Sequence, residues 1–208
     1  MKLYSSKLAP SPLKVLIFLA EKNIKDVEII NLNLAELEHK KPEYMSIAPN
    51  SRVPALQLDD ESVILETTAI CRYLESIYPE PNMFGETPIE IAMIEMWYSR
   101  VTYELSTPLA HGFRHTHPHM SKMEDQNKEF GLSQRNIGLS ALEAFNEIIA
   151  SKEFITCDKF TYADIQMATN LNFLVRLNRL ELKDYKNLND YVTQIFARPS
   201  FSVQFIPS

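Results

Sequence analysis

A Val-Pro step, Val53-Pro54, and an acid-hydroxyl pair, Glu66-Thr67, flank two short apolar runs. Proline cannot donate to a β ladder and holds the preceding residue extended, so the Val53 N–H and C=O are free to bond a group outside the sheet. Glu66 precedes a helical pattern, where it can hold an ammonium group while the helix N-terminus holds a carboxylate. The two features together predict an edge that binds one end of a small zwitterionic peptide.

A hairpin and a helix must position these groups. Ala55–Leu58 and Ser62–Leu65 have the length of short strands, and the polar break Asp59–Glu61 between them suits a hairpin. After Thr67, which we expect at or next to the helix N-cap, apolar residues recur at spacings of three and four. This spacing predicts an amphipathic helix directly after the second strand.

The residues before this stretch predict a strand, a helix and a second strand. Met1–Ser5 and Val27–Asn31 have strand character, and Ser11-Pro12 is a typical helix start, with serine as the N-cap and proline first in the helix. Leu34–Ile47 is polar and contains a proline, so we expect a short irregular helix there. A βαβ unit followed by a ββα unit predicts an α/β domain with a thioredoxin-like arrangement.

Proline residues are concentrated between positions 79 and 88, which predicts a domain boundary. We assign residues 1–79 to the thioredoxin-like domain, 80–88 to a linker and 89–208 to a second domain. The second domain has long helical periodicities and almost no strand signals, so we expect it to be all-helical. Thr161 followed by Asp164 predicts a capping box that opens one of its helices.

These motifs resemble the glutathione S-transferase family. The Val-Pro and Glu-Thr pairs match its glutathione-binding half, and the segments FTYADI and ARPSF extend the resemblance over essentially the whole chain. The resemblance implies an enzyme that conjugates the glutathione thiolate to a small electrophile, in the manner of detoxification enzymes. It also implies a homodimer, and glutathione as co-substrate with no other cofactor.

The resemblance also implies roles for individual residues. Val53 would bind the glutathione backbone, Glu66 and Thr67 the γ-glutamyl group, and His39 and Arg52 the glycyl carboxylate. Each of these residues is also compatible with an ordinary surface or turn position.

Glutathione transfer requires a thiolate, and a free thiol with a pKa near 8.5 is mostly protonated at neutral pH. A hydroxyl donor combined with a helix N-terminus could stabilise the anion. Ser11 is predicted to supply both, which makes it the candidate catalytic residue. Ser5 and Ser6 are competing hydroxyls near the end of the first strand, and Ser11 could also be a plain N-cap.

Other functions of the same scaffold remain open at the level of sequence. The thiolate could instead perform disulfide exchange or cis-trans isomerisation, since one fold can host several reactions. The chain could also be a non-catalytic interaction protein, or hold apolar ligands without converting them. The joint presence of His39, Arg52 and Glu66-Thr67 favours glutathione binding.

Composition excludes several other classes. The net charge is -6 and no long cluster of lysine and arginine occurs, which argues against a nucleic-acid or anionic-membrane partner. The apolar run Val15–Ala20 is too short to span a membrane and no signal-type segment is present, so we expect a cytoplasmic protein. Two cysteines, Cys71 and Cys157, cannot build a disulfide framework.

Four histidines occur in the segment HGFRHTHPH, at positions 111, 115, 117 and 119. We predict no metal site there, because no HExxH motif or cysteine accompanies them and Pro118 interrupts the helix that could align them.

Overall fold

The computed structural model describes residues 1–6, 9–122 and 124–202. The chain forms two compact units. The first unit extends to Met83, the second runs from Phe84 to Ala197, and the chain then returns to the first unit at Arg198. The division between Met83 and Phe84 lies inside the linker predicted at 80–88, whereas the return of the chain end has no counterpart in the predicted boundaries.

A four-stranded mixed sheet forms the centre of the first unit. Its strands are β1 (Lys2–Ser5), β2 (Glu28–Asn31), β3 (Ala55–Gln57) and β4 (Val63–Leu65). They lie in the order β2-β1-β3-β4, with β1 parallel to β2 and antiparallel to β3, and β3 antiparallel to β4. This order confirms the thioredoxin-like arrangement.

The helices of the first unit are α1 (Pro10–Glu21), α2 (Pro42–Met45) and α3 (Thr67–Ile77). A 3₁₀ turn, Glu38–Lys40, precedes α2, so the polar segment before the hairpin is short and irregular as predicted. α3 packs against β3, β4 and α1.

Side chains alternate between the two faces of the sheet, and this alternation separates two apolar layers. Tyr4 and Ala55 are partners in register and pack with Tyr44 of α2, whose ring centroid is 5.5 Å from that of Tyr4. Leu3 and Leu56 are also partners in register, point to the opposite face and are fully buried. The strands that carry the candidate site are thus fixed from both sides.

One buried and one partly buried charge contact fix the C-terminal end of α1. Lys22 Nζ lies 2.7 Å from Glu75 Oε2 and donates to two backbone carbonyls of the segment that follows α3. Arg198 Nε donates to Glu21 at 2.8 Å, and the Ser200 hydroxyl donates to the same carboxylate. Burial opposes the charge of Glu21, but the hydrogen bonds from Arg198 and Ser200 outweigh it and hold the pKa of that carboxyl below its usual range. These bonds explain why the chain end belongs to the first unit.

Helices form the second unit: α4 (Pro88–Arg100), α5 (Thr107–Thr116), α6 (Lys128–Ile148), α7 (Tyr162–Leu177) and α8 (Lys186–Phe196). A π-helical segment, Val101–Ser106, joins α4 to α5. The described residues of this unit contain no strand, in agreement with the all-helical prediction. Among the described helices of both units, none combines the length and apolar character needed to cross a membrane.

The predicted capping box at the start of α7 is present and its acid is fully buried. Asp164 accepts hydrogen bonds from the Thr161 N–H and hydroxyl, from the Ile155 N–H, and from the Tyr191 hydroxyl at 2.8 Å. Burial raises the pKa of Asp164, and these bonds act in the opposite direction. The acid therefore joins α7, α8 and the segment that precedes α7.

Candidate functional site

The sheet register brings the predicted site residues to one edge. Tyr4 pairs with Ala55, and Ala55 pairs with Leu65, so the end of β1, the start of β3 and the end of β4 meet at the same edge. α1 follows β1 after a short loop, and α3 follows β4 directly. Neighbouring strands lie about 4.8 Å apart, so β1 and β4 are separated by about 10 Å, the length scale of a short peptide.

The Val53 backbone is available to a ligand at this edge. The Val53-Pro54 peptide bond is cis, and β3 begins at the next residue, as predicted for a proline that precedes a strand. Neither the N–H nor the C=O of Val53 bonds to another residue in the part of the chain that the structure describes. The preceding carbonyl, that of Arg52, is different because it accepts a hydrogen bond from the Tyr44 hydroxyl. Tyr44 thus holds the loop while the Val53 groups remain open.

Glu66, and not Thr67, is the N-cap of α3, so the helix begins one residue earlier than an N-cap at Thr67 would place it. Glu66 is exposed and has a φ of 70°, a left-handed conformation that costs an acidic residue roughly 1 kcal/mol. Its side chain makes no capping hydrogen bond. Thr67 is the first helical residue, where backbone N–H groups lack intrahelical acceptors. A carboxylate beside the N-terminal N–H groups of a helix is the arrangement that an amino acid's ammonium and carboxylate groups require.

The prediction that Ser11 caps α1 is wrong. The N-cap is Ala9, which has extended backbone angles, and Pro10 is the first helical residue, since its fixed φ already suits a helix. Ser11 follows Pro10 and is half-buried, and its hydroxyl makes no hydrogen bond to another described residue. Pro12 comes next and, like Pro10, has no N–H. Ser11 therefore provides both a hydroxyl and the single N–H among the first three helical residues.

The competing hydroxyls lie at the end of β1. Ser5 is fully buried, and its Oγ has no hydrogen-bond partner among the described residues. Ser6 is also buried but makes contacts. Residues 7 and 8 of the loop before α1 lie outside the described residues.

The two residues predicted to meet the glycyl carboxylate have different charge states. Arg52 is exposed, and its guanidinium is not paired with any carboxylate of the described residues. His39 is half-buried. Its Nδ1 atom is inaccessible to solvent and has no hydrogen-bond partner among the described residues. Burial, assisted by the neighbouring Lys40, lowers the pKa of His39, so the imidazole is mainly neutral at pH 7.

Sequence reasoning missed one residue that shapes this region, Tyr44, and one buried cation of α1, Lys14. Tyr44 positions the loop through Arg52, and its buried environment, with Tyr4 nearby, raises its pKa to about 12, so the hydroxyl remains a donor. Lys14, one turn after Ser11, is buried, and burial lowers its pKa to about 8 against an opposing effect of Cys71. Neither contact has a local sequence signal, because each partner comes from another element.

The histidine segment lies in the second unit and uses its ring nitrogens locally. His115 Nδ1 accepts from the Asn127 N–H at 3.2 Å, and His117 Nδ1 accepts from the His119 N–H at 3.2 Å. Within the described residues, no group of three or more histidine, cysteine or acidic side chains could hold a metal ion.

The sheet order and the helices that follow it define a two-unit protein with a thioredoxin-like α/β part and an all-helical part. A model of the N-terminal domain of glutathione S-transferase matches residues 10–77, and a model of the C-terminal domain matches residues 107–199. The chain belongs to the glutathione S-transferase family.

Individual relatives agree with this assignment. The chain is similar to glutathione S-transferase 2 of Saccharomyces cerevisiae, with 33% identity over 203 residues that cover 96% of this chain and 87% of that protein. The crystal structure of Gtt2 from Saccharomyces cerevisiae matches with a TM-score of 0.86 and 32% identity, covering 99% of this chain and all of that one. A maleylacetoacetate isomerase of Pseudomonas aeruginosa is 37% identical over 94 residues, 44% of each chain.

Proposed function

We propose that the protein is a glutathione transferase that binds glutathione at the sheet edge and transfers its thiolate to a small electrophile. The observation that carries the proposal is the conjunction of two features at one edge: a Val53 backbone without internal partners and a Glu66 carboxylate held in a left-handed conformation. A fold that needed only stability would favour a residue other than glutamate at that position. The membership in the glutathione S-transferase family supports the same conclusion.

The groups at the edge match the ends of glutathione. The Val53 N–H and C=O bond the cysteinyl backbone in the manner of an added strand. The Glu66 carboxylate receives the γ-glutamyl ammonium, and the first N–H groups of α3 with the Thr67 hydroxyl receive its carboxylate. Arg52 and His39 serve the glycyl carboxylate, Arg52 as a permanent cation and His39 as a hydrogen-bond donor that gains a proton when the carboxylate arrives.

Ser11 stabilises the thiolate in this proposal. Lowering a thiol pKa from about 8.5 to about 6.5 requires about 2.7 kcal/mol of preferential stabilisation of the anion. A hydrogen bond to a charged group contributes about 1.5–3 kcal/mol. Because the two prolines leave only one N–H in the first three residues of α1, the Ser11 hydroxyl and N–H together have to supply most of this energy.

The test is an ultraviolet difference titration of the pure protein with glutathione near pH 7, in which the absorbance of the bound thiolate is followed to saturation. A saturable thiolate band supports the proposal. Glu66→Gln should weaken binding, because it removes the counter-charge of the ammonium, while the exposed Glu28→Gln on β2 serves as the matched control. Absence of saturable glutathione binding in the parent protein would refute the proposal.

An isomerase is the second candidate, since the chain shares 37% identity over 94 residues with a maleylacetoacetate isomerase. Isomerisation uses the same bound thiolate but returns glutathione unchanged, whereas conjugation consumes it and disulfide exchange oxidises it. Product analysis with the parent protein therefore separates the three reactions: a thioether conjugate, an isomer, or glutathione disulfide.

We also propose that the protein acts as a homodimer in the cytoplasm, with glutathione as co-substrate and no further cofactor. Solution scattering tests the oligomeric state, and a monomer at micromolar concentration would contradict this part of the proposal.

A further inference from the structure

Tyr44 is a buried residue of α2 whose hydroxyl reaches the loop that leads into β3. Its ring packs against that of Tyr4, with centroids 5.5 Å apart and planes inclined at 55°. The Ala48 N–H bonds to the Tyr44 carbonyl at 2.8 Å, which ties the start of the loop to α2. These contacts hold the ring in place, so its hydroxyl acts on the loop from a fixed position.

The loop before Val53 satisfies its backbone groups one after another. The Arg52 N–H donates to Asn50 Oδ1 at 3.1 Å, and the Arg52 carbonyl accepts from the Tyr44 hydroxyl. The next group along the chain is the Val53 N–H, which has no partner among the described residues. The loop is therefore held on both sides of Arg52, up to the N–H that is open to a ligand.

The Arg52 carbonyl and the Val53 N–H belong to one peptide group, which is trans. A trans peptide is planar, so its C=O and its N–H point in opposite directions. A hydrogen bond to the carbonyl on one side therefore sets the direction of the N–H on the other side. It also polarises the peptide group, because hydrogen bonds in a chain strengthen one another.

A buried tyrosine requires a partner for its hydroxyl, and the two tyrosines of this layer meet that requirement differently. Tyr4 donates to Gln57 Oε1 within the sheet, at 3.2 Å, whereas Tyr44 donates to the peptide group that precedes the open N–H. Burial, with Tyr4 nearby, raises the pKa of Tyr44 to about 12. The hydroxyl therefore remains a donor over the whole pH range in which a bound thiol ionises.

We propose that Tyr44 is a positioning residue for glutathione: through the Arg52 carbonyl it aims and polarises the Val53 N–H toward the cysteinyl carbonyl of the tripeptide. This role rests on the proposed function, since it concerns a contact with bound glutathione. The hydroxyl acts through the backbone and not on the ligand itself. Its contribution is therefore confined to ligands that have a carbonyl at the cysteinyl position, and it affects binding rather than the reacting thiolate.

The experiment compares the affinities of Tyr44→Phe and the parent for glutathione and for γ-glutamylcysteamine, using the thiolate difference titration. γ-Glutamylcysteamine retains the γ-glutamyl group and the thiol but has no cysteinyl carbonyl. We expect Tyr44→Phe to bind glutathione about three- to tenfold more weakly, the range of one hydrogen bond, and to bind γ-glutamylcysteamine as well as the parent does. KM for glutathione should rise by a similar factor, while kcat changes by less than about twofold.

Tyr4→Phe is the matched control, since it removes a tyrosine hydroxyl of the same layer that bonds Gln57 rather than the loop. Its glutathione affinity should equal that of the parent. The effect of Tyr44→Phe should also persist in an Arg52→Ala background, because it depends on the backbone and not on the guanidinium.

Equal glutathione affinity of Tyr44→Phe and the parent would overturn the proposal and leave the glutathione site in place. An equal loss of affinity for both ligands would overturn it as well, because it would indicate general damage to the site. Disappearance of the effect in the Arg52→Ala background would assign it to the guanidinium and contradict the role of the Val53 N–H. Absence of glutathione binding in the parent protein would refute the proposed function, and this role with it.

Discussion

Replacement of Ser11 by alanine tests the proposed mechanism most directly. Ser11 is not the N-cap of α1, is half-buried, and its hydroxyl makes no hydrogen bond to another described residue. The substitution therefore removes no capping bond, and alanine is at least as good a helix residue as serine. We expect the free energy of unfolding to change by less than about 0.5 kcal/mol.

The effect on the bound thiol should be much larger. Because Ser11 is half-exposed, we take the lower end of the range for a hydrogen bond to a charged group, about 1.5 kcal/mol, which corresponds to about one pKa unit. If the bound thiol has a pKa near 6.5 in the parent, it moves to about 7.5 in Ser11→Ala. The thiolate fraction at pH 6.5 then falls from about one half to about one tenth, whereas at pH 8.5 both proteins are more than 90% ionised.

The assay is the pH profile of kcat/KM for glutathione and 1-chloro-2,4-dinitrobenzene, measured with the thiolate absorbance of the binary complex. We expect Ser11→Ala to be about fivefold slower at pH 6.5 and nearly equal to the parent at pH 8.5. Ser5→Ala is the matched control. It removes a buried hydroxyl that has no partner among the described residues, so it should leave the profile unchanged and the stability equal or slightly higher.

If Ser11→Ala lowered kcat/KM by the same factor at every pH, the reasoning would be refuted. Such a loss would indicate a positioning effect rather than a shifted thiol pKa. An unchanged profile for Ser11→Ala together with a shifted one for Ser5→Ala would assign the role to Ser5.

Three further predictions concern the binding groups and the core. The lowered pKa of His39 should rise again when a carboxylate binds. S-methylglutathione, which has no ionisable thiol, should therefore bind more tightly as the pH falls from 7.5 toward 6. Calorimetry should find this pH dependence lost in His39→Gln. Arg52→Ala should raise KM for glutathione about two- to fivefold with little change in kcat, because the side chain is exposed. As a control, Lys25→Ala, at an equally exposed position, should leave KM unchanged. An unaltered KM in Arg52→Ala would exclude the contact with glutathione. Asp164→Asn should lower the free energy of unfolding, measured in urea titrations, by about 2–4 kcal/mol. The reason is that one amide oxygen cannot accept all the hydrogen bonds of the buried carboxylate. A loss below about 1 kcal/mol would contradict the importance of this junction.

The sequence was sufficient for the fold because its signals are local and consistent with one another. Short runs of strand character located all four strands within one residue, and the capping box at Thr161 was predicted from Asp164 three residues later. The sequence also predicted the positions of Val53-Pro54 and Glu66. Both signals are local, because a proline and an acid that precedes a helix each affect the backbone next to them.

The local signals gave the wrong N-cap for α1, where a residue with a weaker capping preference occupies the cap position. Ser11 has the better capping side chain, yet α1 begins after Ala9, because the fixed φ of Pro10 allows it to start the helix two residues earlier than predicted. The hydrogen bond from Tyr44 to the Arg52 carbonyl and the buried charge of Lys14 could not be predicted, because they depend on how separate elements pack.

The chain has only four glycines, so most left-handed backbone positions are occupied by other residues. α1 and α7 end in the same way: Asn23 and Arg179 each occupy the left-handed position, and the residue after each donates back to the helix at 2.9 Å. Asparagine tolerates this conformation because its short side chain can bond the local backbone, so Asn23 needs no role beyond ending α1. Glutamate lacks that compensation and occupies a positive φ twice, at Glu61 in the hairpin turn and at Glu66, whose carboxylate lies at the proposed glutathione site. Glu66→Gly should therefore preserve the thermal stability of the fold and weaken glutathione binding in a titration, which separates the conformational requirement of the backbone from the chemical requirement of the site.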